Sequence, residues 1–333
     1  MGFVIRRLRK DEEGVASTVG TIMALLVFLT FLSLIVNQYV PVWMKDSESA
    51  HMNGVLGQFG NMKGSVDLQV LGAQIAQDAG THYIPITTAS AVTLGVDGVP
   101  IFSAPTAGEM TLNPNAAPWT VAFYYDIRGV STRVDEFSSG TMELNVGNRY
   151  FVPQRIAYEN GGVIRSQADG QVVRAPPTFE AVPLNSTLDV SFQLITLYGS
   201  GSVSGTSTEV VNTKLFGLDR QDYTDIRSTI WINHTSLYGV AWYQFFNGTL
   251  AKNLVITTGT FATVETPERV LLLEFTARRS GENVYRARVA WDAITLTYRF
   301  ALELYQTAGL PIGVFRLQHA QVTMGIGEGT EEP

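Results

Sequence analysis

The sequence predicts an α+β protein, mainly β: a long N-terminal transmembrane helix followed by an antiparallel β-sandwich-like ectodomain with one short covering helix. Three observations carry that reading. Val15 to Met44 is a run of 30 residues without Asp, Glu, Lys, Arg or His. Beyond it, apolar residues recur every three or four positions as far as about Gln77. From about residue 82 short β-type runs alternate with turn residues.

The uncharged run comes first. As a helix it is about 45 Å long, enough to cross a hydrocarbon core of about 30 Å. Arg6, Arg7, Arg9 and Lys10 precede it, whereas Lys45 and Lys63 are the only cations in the twenty residues that follow. Basic flanks stay cytoplasmic, which places everything after about residue 45 outside the cell. Tyr39 and Trp43 fall where interfacial aromatics are expected, and Pro41 predicts a kink beside them. A cleaved secretory signal has a shorter apolar core and an Ala-x-Ala-like site after it, which VNQYVPVWMKD lacks.

The junction ahead of the run reads Asp11-Glu12-Glu13-Gly14-Val15-Ala16-Ser17-Thr18-Val19-Gly20. Glu13-Gly14-Val15-Ala16 resembles the class III signal of archaeal type IV pilins and archaellins, and VASTVGTIM is similar to the start of archaeal pilin N-terminal domains. The resemblance covers about residues 6–36. It implies a cytoplasmic leader over 1–14, cleavage by a prepilin peptidase between Gly14 and Val15, and a helix that stays in the lipid bilayer or joins other pilin-like subunits. Bacterial type IV pilins carry glutamate at the fifth mature position. Val19 stands there in this chain, so pairing of that glutamate with a neighbour's terminus does not carry over. More loosely, the whole chain resembles archaeal surface proteins that join a pilin-type N-terminus to a large β-rich domain.

Residues 45–80 read as an amphipathic stalk. Met52, Val55, Phe59, Met62, Val66 and Val70 form one apolar stripe, with Gly80 as a C-terminal cap. Gly57, Gly60 and Gly64 lie on another face. They fit close approach of a neighbouring subunit, packing on the chain's own sheet, or a helix that breaks near Gly54.

Strand-like runs over 81–324 are Ile84–Thr88, Ala91–Val96, Val99–Ser103, Trp119–Tyr125, Thr141–Val146, Tyr150–Tyr158, Val172–Ala175 and Leu188–Leu197. They continue as Thr206–Leu215, Ser228–Asn233, Leu254–Ala262, Val270–Thr276, Tyr285–Val289, Ala293–Leu304 and Gly313–Met324. Asp97-Gly98, Asn160-Gly161-Gly162, Asp169-Gly170 and the stretch Gly199–Gly205 supply turn and loop signals. Ser236–Leu250 reads as a helix covering a sheet, with Thr235 or Ser236 as its N-cap. The polar stretch Gly217–Arg227 admits a subdivision near residue 217, and the glycine- and glutamate-rich tail 325–333 reads as disordered.

Composition narrows the chemistry. The absence of cysteine excludes disulfides, thiolate metal sites and a cysteine nucleophile. Residues 1–14 hold four bases against three acids, and removing that +1 from the chain's −7 leaves −8 for the rest. An acidic ectodomain without a basic cluster argues against nucleic-acid partners. His51, His82, His234 and His319 are scattered, and Gly-x-Ser-x-Gly, P-loop and His-Glu-x-x-His patterns are absent. No cofactor and no enzymatic activity are expected. Asp219, Asp222 and Asp225 are the one compact acidic group, a weak candidate for a bound metal because an EF-hand loop needs a different spacing. Asn185, Asn233 and Asn247 head N-x-Ser/Thr sequons and are glycosylation candidates. The aromatics Trp119, Trp231, Trp242 and Trp291 sit inside strand or helix patterns and read as core before sugar platform.

The favoured reading is a pilin-like surface protein of structural or adhesive role, held in the cell membrane by one span. Its size fits a minor or anchored component better than an abundant pilin. The alternatives are a permanently anchored domain that binds a ligand, a sugar or an S-layer protein, and a tethered hydrolase.

Overall fold

The computed structural model describes residues 8–99, 102–254, 256, 258–265 and 271–327. Helix α1 (Leu8–Leu34), a π turn (Ile35–Tyr39) and α2 (Val40–Asp78) follow one another without a break. Within them Gly14–Asp78 is long and apolar enough to cross a membrane. From Val15 to Tyr39 no side chain is buried, whereas Val40, Met44 and ten further α2 residues are. One rod therefore meets two environments.

Pro41 explains the π turn. It has no N–H to offer the carbonyl one turn back, and its ring crowds that carbonyl. The helix widens just before it, and the Val40 N–H reaches the Ile35 carbonyl five residues away. At the far end Gly80 takes φ +67° and donates to the Gln77 carbonyl, while Thr81 N–H reaches Ala76. That is a Schellman cap, and glycine enters its left-handed position without strain.

Among the described residues eighteen strands, numbered in chain order, form three sheets. The first runs β1 (Thr87–Thr93), β12 (Thr208–Tyr223), β18 (Ile312–Ile326), β10 (Thr187–Tyr198), β9 (Phe179–Leu184). The second runs β11 (Gly201–Gly205), β2 (Gly108–Asn113), β5 (Thr141–Val146), β6 (Gln154–Glu159), β7 (Gly162–Gln167), β8 (Gly170–Ala175). The third runs β14 (Thr258–Glu265), β15 (Leu271–Arg279), β16 (Glu282–Asp292), β17 (Thr297–Leu304), β13 (Ile230–Ser236), β3 (Trp119–Ile127), β4 (Val130–Ser138). All ladders are antiparallel except β10 with β18. Those two strands are joined through the third sheet, a connection long enough for parallel pairing.

Two cores hold the layers together. In one, Met52, Val55, Phe59, Met62, Val66 and Val70 of α2 meet apolar residues of the first and second sheets. In the other, α3 (Gly239–Asn253) is packed among residues of all three sheets around Trp119. Trp119 stacks on His234 with ring centres 3.9 Å apart and meets Trp242 edge-on at 4.9 Å. The strand pleat supplies this inward set, as the alternating burial of Trp119, Val121 and Phe123 along β3 shows.

Several boundaries differ from the sequence reading. The polar stretch after Gly217 is strand as far as Tyr223, because β12 keeps its ladder with β18 across a bulge at Phe216. The subdivision near residue 217 thus falls inside a strand, and both cores draw on residues from either side of it. Gly201–Gly205, read as loop, is the edge strand β11 paired to β2. The run Val99–Ser103 is no strand at its described end, where Phe102 N–H closes a turn on the Val99 carbonyl; residues 100 and 101 lie outside the described set. So do residues 1–7 of the leader and 328–333 of the tail, while β18 extends to Ile326. Helix α3 begins after Tyr238, so neither Thr235 nor Ser236 caps it; Ser236 Oγ instead accepts from the Tyr238 N–H at the strand end. Gly239 opens α3 because a Cβ there would lie 2.4 Å from the Tyr298 Cβ.

Phe59 is fully buried at the middle of the α2 stripe. Phe59→Ala is expected to cost about 3–5 kcal/mol, while truncation of half-exposed Leu71 should stay within about 0.5 kcal/mol. Urea denaturation of the full chain in detergent, followed by tryptophan fluorescence, measures both.

Candidate functional site

The helix that enters the domain is fastened along its length by side-chain hydrogen bonds. His51 Nε2 donates to the Thr93 carbonyl at 2.9 Å. Gln58 brackets the same residue, accepting from Thr93 N–H at 2.9 Å and donating to Thr93 Oγ1 at 3.2 Å. Higher up, Gln69 donates to Thr88 Oγ1 at 2.7 Å and accepts from Leu215 N–H at 2.6 Å. Gln74 reaches Gln318, Gln77 the Leu218 carbonyl, and Asp78 pairs with Arg220 at 2.6 Å. β1 is an edge strand, and these groups occupy backbone positions that would otherwise be open at Thr93.

The lowest rung is Glu48. Its side chain lies on the buried stripe and the residue is fully buried. Oε1 accepts from Thr106 Oγ1 at 2.7 Å and Arg149 N–H at 3.1 Å; Oε2 accepts from Tyr150 N–H at 2.9 Å and Phe151 N–H at 2.7 Å. One carboxylate thereby ties two loops, 96–106 and 147–153, to the helix. Burial pushes the Glu48 carboxyl up, but the four hydrogen bonds to Thr106, Arg149, Phe151 and Tyr150 outweigh it and hold it below its usual range. The sequence signal was an acid in phase with Met44, Met52 and Val55, a place where an unpaired charge would be costly.

Gly14 and Val15 both lie exposed within α1, and the Gly14 carbonyl accepts from Thr18 Oγ1 at 2.8 Å. Asp219, Asp222 and Asp225 are not gathered. Asp219 and Asp222 are exposed on β12, opposite His319 and Arg316. Asp222 lies 3.7 Å from Arg316 Nε, and Asp225 stands in the following loop at φ +53°. Among the described residues no group of three His, Cys, Asp or Glu converges on one point. Of the sequons, Asn185 is exposed in the β9–β10 turn and Asn233 on β13, whereas Asn247 Oδ1 accepts from Tyr285 Oη at 2.9 Å. Trp119 and Trp242 are core, and Trp231 and Trp291 are half-buried.

The fold also builds a polar knot that the sequence did not reveal. His234 Nδ1 faces the Pro118 carbonyl at 3.0 Å and Nε2 faces Glu159 Oε2 at 3.3 Å, an oxygen that also accepts from Trp242 Nε1 at 3.0 Å. The Pro118 carbonyl can only accept, so His234 Nδ1 donates to it. His234 and Glu159 are each 2% exposed, so no substrate reaches them. The knot joins the second sheet to the third. A cleft of about 430 Å³ between Pro183, Leu254, Arg278 and Arg279 holds the hydroxyls of Thr258 and Ser280 but, among the described residues, no carboxylate or imidazole beside them.

Because the Glu48 carboxyl sits below its usual range when folded, its contribution is complete above about pH 4.5 and is lost as pH falls through the lowered value. Glu48→Gln is expected to cost about 1.5–3 kcal/mol at neutral pH and to flatten that acid limb, since one amide oxygen cannot accept from all four donors. Urea titrations from neutral to acidic pH compare the two proteins.

No family model, no curated protein and no solved structure matches the chain.

Proposed function

We propose that this chain is a pilin-like, membrane-anchored subunit of the cell surface, structural or adhesive, and not an enzyme. The observation that carries the reading is the junction Glu13-Gly14-Val15-Ala16 at the head of an unbroken helix. The helix is bare from Val15 to Tyr39 and forms the strut of a β domain from Val40 to Asp78. Such a helix serves either as a permanent anchor or as the part that packs beside its neighbours in a filament. A prepilin peptidase would cut between Gly14 and Val15, leaving the basic leader inside and the domain outside. The role is that of a minor or anchored component.

A second feature supports assembly through the helix. Gly57, Gly60 and Gly64 lie on the outward face of α2, where an added Cβ would meet nothing within 4 Å. Leu68, Leu71 and Ile75 continue that face and are exposed. The chain's own sheets do not use it.

Mass spectrometry of the purified membrane form tests the processing. A mature terminus at Val15 is expected, and Gly14→Leu should retain the leader. An intact Met1 or Gly2 in the native host overturns the reading. For the helix face, the triple change of Gly57, Gly60 and Gly64 to Ala is expected to leave the isolated subunit as stable or more so, by up to about 1 kcal/mol per site. It should also reduce recovery in sheared surface filaments, or in cross-linked oligomers if no filament forms.

A further inference from the structure

The ladder between α2 and β1 fixes which end of the domain faces the bilayer. Gln69 binds Thr88, and Gln58 and His51 bind Thr93, so β1 descends toward the hydrophobic segment as its residue numbers rise. Residues 94–96 continue downward, and the antiparallel bridge between Val96 and Thr106 brings the chain back beside Glu48. The loop 147–153 joins it there through Glu48. Both loops hang at the lower end of the domain.

Depth follows from the helix. The run Val15–Met44, about 45 Å long, matches the thickness of a bilayer with its headgroups, about 40–45 Å. With hydrocarbon spanning about twenty residues up to Tyr39, the stretch Val40–Met44 lies in the outer headgroup layer. Yet Val40 and Met44 are each only 1% exposed, while Tyr39, Val42 and Trp43 are half exposed on other faces of the helix. Protein therefore flanks one side of the helix inside the headgroup layer. The loop side chains at this end include Phe102, Tyr150 and Val152, which are 38%, 37% and 41% exposed, together with exposed Arg149. Aromatic, aliphatic and cationic groups in this mixture suit the boundary between acyl chains and phosphates.

The geometry points to a second membrane contact: the rim formed by Phe102 and the loop 147–153 rests in the outer headgroup layer, with Phe102, Tyr150 and Val152 turned into it. Glu48 is the positioning residue: it sits about 6 Å above Met44 along the helix and holds the bases of both loops, from which they reach down to the layer. The domain then stands on the bilayer in one orientation. This inference rests on the membrane reading of the helix and adds a contact made by the β domain itself.

The chain has no cysteine, so single cysteines can be labelled without background. Val152→Cys, Phe28→Cys and Ile84→Cys, each carrying an environment-sensitive fluorophore, are placed in full-length protein reconstituted in phosphatidylcholine–phosphatidylglycerol vesicles. Lipids spin-labelled at the headgroup or deep in the acyl chain serve as quenchers. Ile84 is exposed and lies beyond Thr88, which is about 30 Å above Glu48 along the helix. Residue 152 should be quenched by headgroup label several times more strongly than residue 84, and Tyr150→Asp with Phe102→Asp should abolish the difference. Residue 28 should respond to the deep label. Loss of that response overturns the membrane reading itself. Normal quenching at residue 28 with residue 152 as wet as residue 84 overturns the rim alone. A probe at 152 that is shielded from water but unquenched by lipid also overturns it, in favour of a protein neighbour.

Discussion

Everything in this molecule depends on one helix whose two halves meet different surroundings. From Val15 to Tyr39 the rod is uncharged, mostly apolar and without a buried side chain, and from Val40 it becomes the centre of a packed core. An all-apolar rod would suit the first half and leave the second nonspecific, free to slide against the sheets. The α2 face avoids this by mixing two kinds of contact. Its centre is a dry stripe of Met52, Val55, Phe59, Met62 and Val66, while His51, Gln58, Gln69, Gln74 and Gln77 lock particular backbone and side-chain partners. The stripe supplies most of the free energy and the amides set the register, because a shift of one turn would leave buried donors unpaired.

The same logic explains the buried charges. Glu48 and Glu159 lie far apart, yet each ties elements that no ladder connects: helix to two loops, and second sheet to third. A carboxylate accepts several hydrogen bonds at once, so it can gather donors from separate segments where an apolar side chain would only fill space. Removing it would leave three backbone N–H groups at Glu48, or an indole and an imidazole at Glu159, without an acceptor.

What was legible follows from how local the signal was. Thr141–Val146 is a strand with the boundaries the sequence predicts, since its alternation reflects one buried face and one half-exposed face. The helix was legible from an uncharged run and a stripe, both local. β11, Gly-Ser-Val-Ser-Gly, has no apolar face and is a strand only because β2 offers an open edge. The polar half of β12 likewise borrows its structure from β18. His234 and Glu159 are 75 residues apart, and nothing near either one announces the other. Glu48 lay between these cases: its phase on the stripe was visible, but its partners were not.

The outward face of α2 raises a different question, because nothing inside the fold accounts for it. Gly162 is needed where Trp242 packs at 2.7 Å from a would-be Cβ, and Gly239 where Tyr298 does. No such neighbour exists at Gly54, Gly57, Gly60 or Gly64. Each glycine in an exposed helix gives up roughly 1 kcal/mol against alanine, so this face is less stable than it need be while the opposite face is closely packed. A subunit contact would give the strip a use: flat backbone lets another helix approach closely, and Leu68, Leu71 and Ile75 would bury their area in the same contact. The proposed membrane contact at the foot of the domain bears on this too. A domain held upright on the bilayer presents its α2 face sideways, parallel to the membrane, where an identically anchored neighbour would meet it after diffusing in two dimensions.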